Sequence, residues 1–214
     1  MNKITTNRNY FFYSTLSDEL KPLYYKEIVN FVGKLVFEYP GFKSWYRSLF
    51  CSKYDLCADR EIIVCESDFR IAAIAILKRN VQEKKICTFR VAKAYQHQGI
   101  GKEMMELSFE WLETDSPMIT LHKNKLDQFS KLLNYYNFNL EQSQKHYYHV
   151  FSTELVYNGV LPEKKLFFNP IEIVDMGGLY EKFVLLGKRD INEYVKLCME
   201  YWYEKEKYRQ FQLL

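Results

Sequence analysis

A short turn between an apolar segment and a helical one carries two of the chain's eight glycines. After Tyr95, residues 96–101 read QHQGIG, and an apolar stripe with helical spacing follows at once. The first turn of a helix presents N–H groups without helical acceptors and the positive end of the helix dipole. Glycine lets a ligand approach such a backbone closely. The turn therefore predicts a site for an anion, a phosphate above all.

Two familiar nucleotide motifs do not fit this turn. A dinucleotide fingerprint needs a third glycine at position 104, where the chain has Met104. A P-loop needs Gly-Lys followed by Ser or Thr, and here Lys102 is followed by Glu103. A tight turn without a ligand is the alternative that the two glycines alone leave open.

The segment resembles the pyrophosphate loop of the GNAT superfamily of acyl-CoA-dependent N-acetyltransferases. That signature has an apolar strand ending in Val, a Tyr four residues later, and then Gln or Arg-x-x-Gly-x-Gly or Ala. The family often has proline where this chain has Lys93. Together with the order of elements, the resemblance extends over roughly residues 8–157. The matching residues are Val91, Tyr95, Gln96, Gly99, Ile100 and Gly101.

The resemblance implies a site for acetyl-CoA as co-substrate. In this family the strand before the loop splays from its neighbour, and its free backbone groups pair with the pantetheine arm. The N–H groups from Gln98 to Lys102 would hold the pyrophosphate, with the Gln96 side chain nearby, while the side chains of His97 and Gln98 would point outward. The implied cofactor-binding residues are Phe89, Arg90, Val91, Gln96, His97, Gln98, Gly99, Ile100, Gly101 and Lys102.

The chain departs from the family at the residue that protonates the leaving thiolate. Many members have a tyrosine five residues before the Phe of a Gly-Phe pair. Here the pair is Asn137-Phe138, and the tyrosine position holds Leu133. Tyr136 lies on the same helix face one turn later and is the predicted catalytic acid, with Tyr135 next if the alignment slips. Packing of the two aromatics at the helix end is the alternative.

Two further features bear on the chemistry, a catalytic base and a histidine pair. The family's carboxylate base on the splayed strand is missing, because the closest position carries Lys85, with Glu83 beyond it. A bound water or a residue of the N-terminal helices would then take the proton. The two histidines of the HYYH segment are candidate metal ligands, but on a strand His146 and His149 would face opposite sides. No metal site is predicted.

The apolar spacing predicts a mixed α/β (α+β) arrangement of strands and helices. The resemblance implies the GNAT fold, a mixed, mostly antiparallel, twisted sheet flanked by helices, here with a C-terminal strand and helix extension. The segment 67–70 is predicted as the turn of a hairpin. The predicted strands are 10–16, 61–67, 71–78, 86–91, 118–123 and one or two within 145–157. The predicted helices start at Leu20, Lys43, Ile100 and Leu126.

Composition limits the partners and the compartment. The chain has 214 residues, 48% of them hydrophobic, and a net charge of +3, which is too balanced to favour nucleic acid. No apolar run is long enough for a membrane span and the N-terminus lacks a signal-peptide core, so a cytoplasmic protein is expected. Five cysteines, with Cys51 and Cys57 spaced C-x5-C, match no zinc or redox motif, and reduced thiols are predicted.

The chain is predicted to consist of a GNAT domain (1–158) and an extension (159–214). In the extension two strands flank a Gly-Gly turn, and Asp190 with Glu193 form a capping pair for a helix. The aromatic face of that helix is expected to pack on the chain's own sheet. The alternative is a subunit interface, which would make the protein a homodimer.

Two functions of different classes remain open. The first is an enzyme that moves an acetyl group from acetyl-CoA to a primary amine by direct attack. The acceptor would be a small molecule or a peptide, and the sequence does not identify it. The second is a non-catalytic acyl-CoA-binding module that acts as a sensor or scaffold. The missing tyrosine and carboxylate favour the second function, while the intact loop fits both.

Overall fold

The computed structural model describes residues 8–37, 39, 41–145, 147–148 and 153–162. In this part of the chain one sheet has the strand order β1-β2-β3-β4-β5-β7-β6. Its strands are β1 (Arg8–Phe12), β2 (Arg60–Ser67), β3 (Arg70–Arg79), β4 (Lys84–Val91), β5 (Met118–His122), β6 (Leu140–Lys145) and β7 (Thr153–Tyr157). The helices are α1 (Lys21–Val32), α2 (Phe42–Arg47), α3 (Ile100–Leu112) and α4 (Leu126–Tyr135). Only β4 and β5 pair in parallel among these strands, so the predicted mixed, mostly antiparallel sheet flanked by helices is confirmed.

Helices cover both faces of the central strands. On β2, Ile63 and Cys65 belong to a core that includes residues of α3 and α4, whereas Ile62 and Val64 belong to a core that includes residues of α1 and α2. We call these the α3 face and the α1 face. Because both faces are buried, β2 and β3 have nearly continuous apolar sequences without polar alternation.

The hairpin between β2 and β3 is confirmed. Ser67 pairs with Arg70, and the two residues between them have φ values of 52° for Asp68 and 58° for Phe69. Two successive positive φ angles are typical of a type I′ turn, whose twist matches that of the flanking strands.

The first strand differs from the prediction. β1 covers Arg8–Phe12, and a 3-10 turn follows at Tyr13–Thr15, where the sequence predicts strand. The Tyr13 hydroxyl donates to the carbonyls of Lys21 and Tyr54, and the Ser14 hydroxyl donates to Glu61. These bonds draw the chain out of the sheet, which local apolar content cannot reveal.

The end of helix α1 and the start of strand β6 also differ from the prediction. The apolar stripe predicts helix from Leu20 to Val36, but α1 ends at Val32 and Gly33–Phe37 form a 3-10 segment. Glycine at this point weakens the α-helix. The strand β6 begins at Leu140, ahead of the predicted 145–157 region, because this edge strand is mostly polar and lacks an apolar signal.

The expectation of reduced thiols is wrong for two of the cysteines. Cys51 and Cys57 form a disulfide, with their Cα atoms 4.9 Å apart. A bridge between Phe50 and Leu56 and the bond from the Cys51 N–H to the Asp55 carbonyl (2.9 Å) fold the intervening loop tightly. The tight loop brings the two side chains together, which the C-x5-C spacing alone does not indicate.

The predicted extension lies outside the described residues from position 163 onward, so its strands, its helix and the domain boundary at Asn158 stay predictions. The described chain packs on the sheet as far as Leu161, which is 4% exposed and contacts Met118 and Val156. Its N–H donates to Gln142 Oε1 at 3.0 Å. A compact unit ends at Leu161.

Truncation after Asn158 should cause aggregation or a clear fall in melting temperature, because it removes Leu161 together with the aromatic extension. Burial of a leucine contributes roughly 1.5–3 kcal/mol. A second truncation after Pro162 keeps Leu161 and isolates the effect of the extension. Thermal unfolding and gel filtration measure both proteins. If the protein that ends at Asn158 is soluble and melts at the parent's temperature, the extension is an independent appendage.

Candidate active site

The parallel strands β4 and β5 separate soon after they pair. Their register ends at Ile86 on β4 and Ile119 on β5, whereas β4 stays paired with β3 as far as Val91. The edge of β4 that faces β5 is therefore open over residues 87–91. We call the gap between this edge and residues 120–122 of β5 the fork.

One extra residue in β4 marks the start of the fork. Ile76 of β3 pairs with Thr88, and Leu77 pairs with Ile86, so Cys87 is left over in the β3–β4 ladder. A bulge of this kind bends the strand that carries it and increases its twist. Because the bulge comes directly after the last β4–β5 pair, it explains why β4 turns away from β5 there.

Side chains on both faces fix the outer half of β4. The Phe89 ring meets Phe129 of α4 edge-on at 6.1 Å, and the Arg90 guanidinium lies 5.5 Å from the Phe31 ring of α1. Val91 packs against the core on the α3 face. The side chains of these β4 residues are thus anchored while their backbone edge toward β5 stays open. Their contact with a pantetheine arm remains a prediction.

The loop after β4 is tied back to the sheet. The Ala92 N–H donates to the Ala72 carbonyl at 2.8 Å, and the Gln96 side-chain amide donates to the Val91 carbonyl at 3.1 Å. Gln96 therefore holds the loop against the end of β4. Its predicted place beside the pyrophosphate is compatible with this bond, because the side-chain NH2 group has a second N–H that can donate.

The start of α3 presents unpaired donors. The N–H groups of Lys102 and Glu103 donate to the Gly99 carbonyl at 2.9 and 3.2 Å, which closes the first turn. Within the part of the chain that the structure describes, the N–H groups from Gln98 to Gly101 have no backbone acceptor. An anion at this point would accept these hydrogen bonds and meet the positive end of the helix dipole.

The two glycines of the loop are needed for different reasons. Gly99 has φ +88°, a left-handed conformation that favours glycine. A Cβ atom at Gly101 would meet no atom within 4 Å, so packing inside the protein does not require glycine there. The open space at Gly101 instead suits a ligand that lies against the backbone. His97, with φ 60°, and Gln98 are exposed beside it.

Arg8 of β1 also supports this loop, although no sequence pattern predicts it. Its guanidinium donates to the Gln98 carbonyl at 2.8 Å and to Gln98 Oε1 at 3.0 Å, and the Gln98 amide donates to the Ala94 carbonyl at 2.9 Å. The guanidinium thus fixes the residue before Gly99 and adds a positive charge to the anion site. Arg8 lies 90 positions from Gln98 in the chain, so no local motif could indicate this contact.

Arg8→Ala should weaken CoA binding by about threefold to tenfold, because it removes both bonds to Gln98, and a net hydrogen bond is worth about 0.5–1.5 kcal/mol. Arg8→Lys keeps the charge but not the paired donors, so it separates loop positioning from electrostatic attraction. Isothermal titration calorimetry with CoA measures all three proteins. Parent affinity in Arg8→Ala would show that the loop keeps its shape without this residue.

The tyrosine predicted as the catalytic acid lies on the flank of α3. The Tyr136 hydroxyl donates weakly to the Lys102 carbonyl (3.4 Å) and to Glu106 Oε1 (3.3 Å), and its ring meets Phe109 edge-on at 5.0 Å. Burial and the Glu106 carboxylate raise the pKa of Tyr136 to about 12. Leu133, at the family's tyrosine position, is buried in the core. The catalytic role of Tyr136 remains a prediction.

The position of the missing carboxylate base is occupied by a charged cluster. Lys85 is 8% exposed, and its ammonium lies 3.9 Å from a Glu83 carboxylate oxygen, whose partner oxygen accepts from Lys78 at 2.7 Å. Glu83 is therefore shared between two lysines. It lies before the last β4–β5 pair, on the closed side of the fork.

Sequence comparison agrees with this geometry. Residues 29–128 match the model of the acetyltransferase (GNAT) family. The match covers the fork, the glycine loop and α3, so this part of the chain is similar to the GNAT acetyltransferase family. None of the curated proteins matches the chain.

Several solved structures resemble it at low identity. The ribosomal-protein-S18-alanine N-acetyltransferase of Escherichia coli is 16% identical over 76% of this chain and 100% of that chain, with a TM-score of 0.49. A GNAT family acetyltransferase of Elizabethkingia anophelis, solved with acetyl-CoA bound, is 14% identical over 71% of this chain and 96% of that chain, also at 0.49. Nourseothricin acetyltransferase is 14% identical over 47% of this chain at 0.43, and the match spans only 64% of that protein.

The described residues carry neither a metal-binding cluster nor a membrane-spanning helix. They contain no group of three or more His, Cys, Asp or Glu side chains that could hold a metal ion. In the same residues, no helix is both long and apolar enough to cross a membrane. The residues His146 and His149 of the HYYH segment are not among those described.

Proposed function

We propose that the protein transfers an acetyl group from acetyl-CoA to a primary amine by direct attack. The observation that carries this proposal is the continuity of the fork with the glycine loop. The open edge of β4 ends at Val91, and the unpaired N–H groups at the start of α3 follow within ten residues. A ligand with a diphosphate at one end and an extended amide-containing arm fits such a path.

The chain's own groups would divide the work as follows. The N–H groups from Gln98 to Gly101 bind the diphosphate, and Arg8 holds their loop in place. The open edge of β4 offers backbone donors and acceptors to the arm. The arm then leads the thioester toward the start of the fork near Cys87. An amine that arrives there attacks the thioester carbon, and the CoA thiolate leaves.

Direct attack is favoured over an acyl-cysteine intermediate. Cys87 is the cysteine at the start of the fork, and burial raises its pKa to about 11. At neutral pH only about one thiol in 10⁴ would then be ionised, and the thiolate is the nucleophilic form. Cys65 is buried in the core on the α3 face, and burial raises its pKa as well.

A non-catalytic acyl-CoA-binding module is the second candidate. The observations that favour it are Leu133 buried at the family's tyrosine position and Lys85 where a carboxylate base is expected. Both candidates bind acyl-CoA, so binding alone does not separate them. Turnover does.

The test incubates the protein with acetyl-CoA and a panel of polyamines, amino acids, aminoglycosides and peptides with free N-termini. Thiol release above the rate of hydrolysis, with the acetylated product seen by mass spectrometry, supports the enzyme. Tight acetyl-CoA binding without transfer to any amine supports the module. A protein that does not bind acetyl-CoA contradicts both candidates.

A further inference from the structure

The start of the fork is the place where the thioester must react. Ile86 and Ile119 form the last β4–β5 pair, so Cys87 and Thr120 are the first residues on either side of the opening. The diphosphate site lies beyond the other end of β4, after Val91. If the arm runs from that site along β4, its thioester end points toward Cys87 and Thr120. This argument rests on the proposed function.

One tyrosine reaches the start of the fork. Tyr148 lies between β6 and β7, and its ring meets the Tyr39 ring edge-on at 5.4 Å. Its hydroxyl forms a hydrogen bond with the Thr120 side chain of β5. The hydroxyl therefore lies at the β5 side of the start of the fork.

A buried carboxyl group, Glu154, lies near Tyr148. Glu154 of β7 pairs with His122 of β5, two residues along from Thr120, and is fully buried. Burial first, and then the neighbouring Tyr147, Glu154 and Cys87, raise the pKa of Tyr148, while the bond to Thr120 lowers it in part. The phenol is therefore neutral at physiological pH and can both donate and accept a proton.

We propose that Tyr148 is a catalytic residue that relays the proton from the attacking nitrogen to the departing sulfur. In the tetrahedral intermediate, nitrogen and sulfur are bonded to the same carbon, so one hydroxyl can reach both. The nitrogen proton passes to the Tyr148 oxygen as the hydroxyl proton passes to sulfur and the C–S bond breaks. The products are the amide and CoA thiol, and the phenol is regenerated. No phenolate has to accumulate, which suits a phenol with a raised pKa.

Tyr148→Phe tests this role because it removes one oxygen and keeps the ring on Tyr39. We expect kcat to fall about 100-fold, within the 10²–10⁴ range of a positioned acid–base group, with the acetyl-CoA KM changed less than twofold. Tyr157→Phe is the matched control and should keep the parent rate, since its ring is buried in the core on the α3 face. A loss confined to the acceptor KM would overturn the proposal in favour of acceptor binding.

A second readout does not need an acceptor. A hydroxyl that donates to the sulfur favours the thiolate form of bound CoA, so the thiol should titrate at lower pH in the parent than in Tyr148→Phe. Ultraviolet absorbance of the thiolate in the saturated complex follows this titration, and we expect a shift of about one pH unit, a tenfold change in ionisation. Identical titrations in both proteins overturn the Tyr148 assignment and leave acetyl transfer standing. A parent that does not bind CoA instead rejects the proposed function itself.

Tyr136→Phe completes the comparison. If this variant loses kcat and shifts the thiol titration while Tyr148→Phe does neither, the role belongs to Tyr136 and the proposal for Tyr148 is wrong.

Discussion

A protein in which Gly99 and Gly101 are both replaced by glutamate should lose measurable CoA binding. The two carboxylates would stand beside N–H groups that have no backbone acceptor in the described chain, where the diphosphate is expected. Repulsion between charges near a protein surface is worth roughly 1–4 kcal/mol per pair at about 4 Å. Two such pairs predict that the affinity for CoA falls at least about 100-fold, since every 1.4 kcal/mol of binding free energy changes the dissociation constant about tenfold. Calorimetry with CoA measures it.

The control for this prediction is another open glycine. A Cβ atom at Gly33 would also meet nothing within 4 Å, so Gly33→Glu adds the same charge away from the loop and should bind CoA like the parent. The single variant Gly101→Glu avoids the strain that any side chain meets at Gly99, whose φ is +88°. Unchanged affinity in the double variant, with an intact fold by circular dichroism, would show that the loop does not bind CoA.

The glycine loop could be predicted from the sequence because its chemistry is local. Glycines at 99 and 101, an apolar strand before them and an apolar stripe after them all lie within residues 86–111. Helix dipole, free N–H groups and close backbone approach all follow from that order. The strand, the loop and the start of α3 accordingly lie where the sequence predicts them.

The parts of the site that depend on pairing across the sheet could not be predicted. The bulge at Cys87 cannot be recognised within the apolar sequence of β4, because an extra residue changes the pairing register of the strand and not its composition. Arg8 reaches Gln98 from the far end of the chain, and Tyr148 reaches Thr120 from a loop between two strands. The strand β6 was misplaced because an edge strand can be polar throughout.

The structure shows why Leu133 cannot take the role of the family's tyrosine. The family's tyrosine position is 2% exposed here and filled by a leucine of the core on the α3 face. Of the neighbouring tyrosines, Tyr135 is 62% exposed and lies near Lys102, whereas Tyr136 packs against the edge of this core with its ring on Phe109 of α3. If the chain is an enzyme, a hydroxyl for the leaving sulfur has to come from a position other than 133, and Tyr136 and the proposed Tyr148 are the two candidates.

Deletion of Cys87 should close the fork while the fold survives. With the extra residue gone, Ile86 and Thr88 become neighbours that still point to opposite faces, as their pairing with Leu77 and Ile76 requires. No other side chain has to change face, so the cores on both sides of the sheet can stay intact. Without the bulge β4 has no cause to bend away from β5, and its edge is no longer free for the arm.

We therefore expect the deletion variant to melt within about 4 °C of the parent, a change worth about 1 kcal/mol in a chain of this size. Its affinity for CoA should fall about 100-fold, as the loss of two or three backbone hydrogen bonds of about 1 kcal/mol each predicts. Cys87→Ala keeps the bulge and removes only the thiol, so it should bind CoA like the parent and is the matched control. Calorimetry with CoA and thermal unfolding decide the outcome. A folded deletion variant that binds CoA with parent affinity would show that the divergence of β4 from β5 does not depend on the bulge.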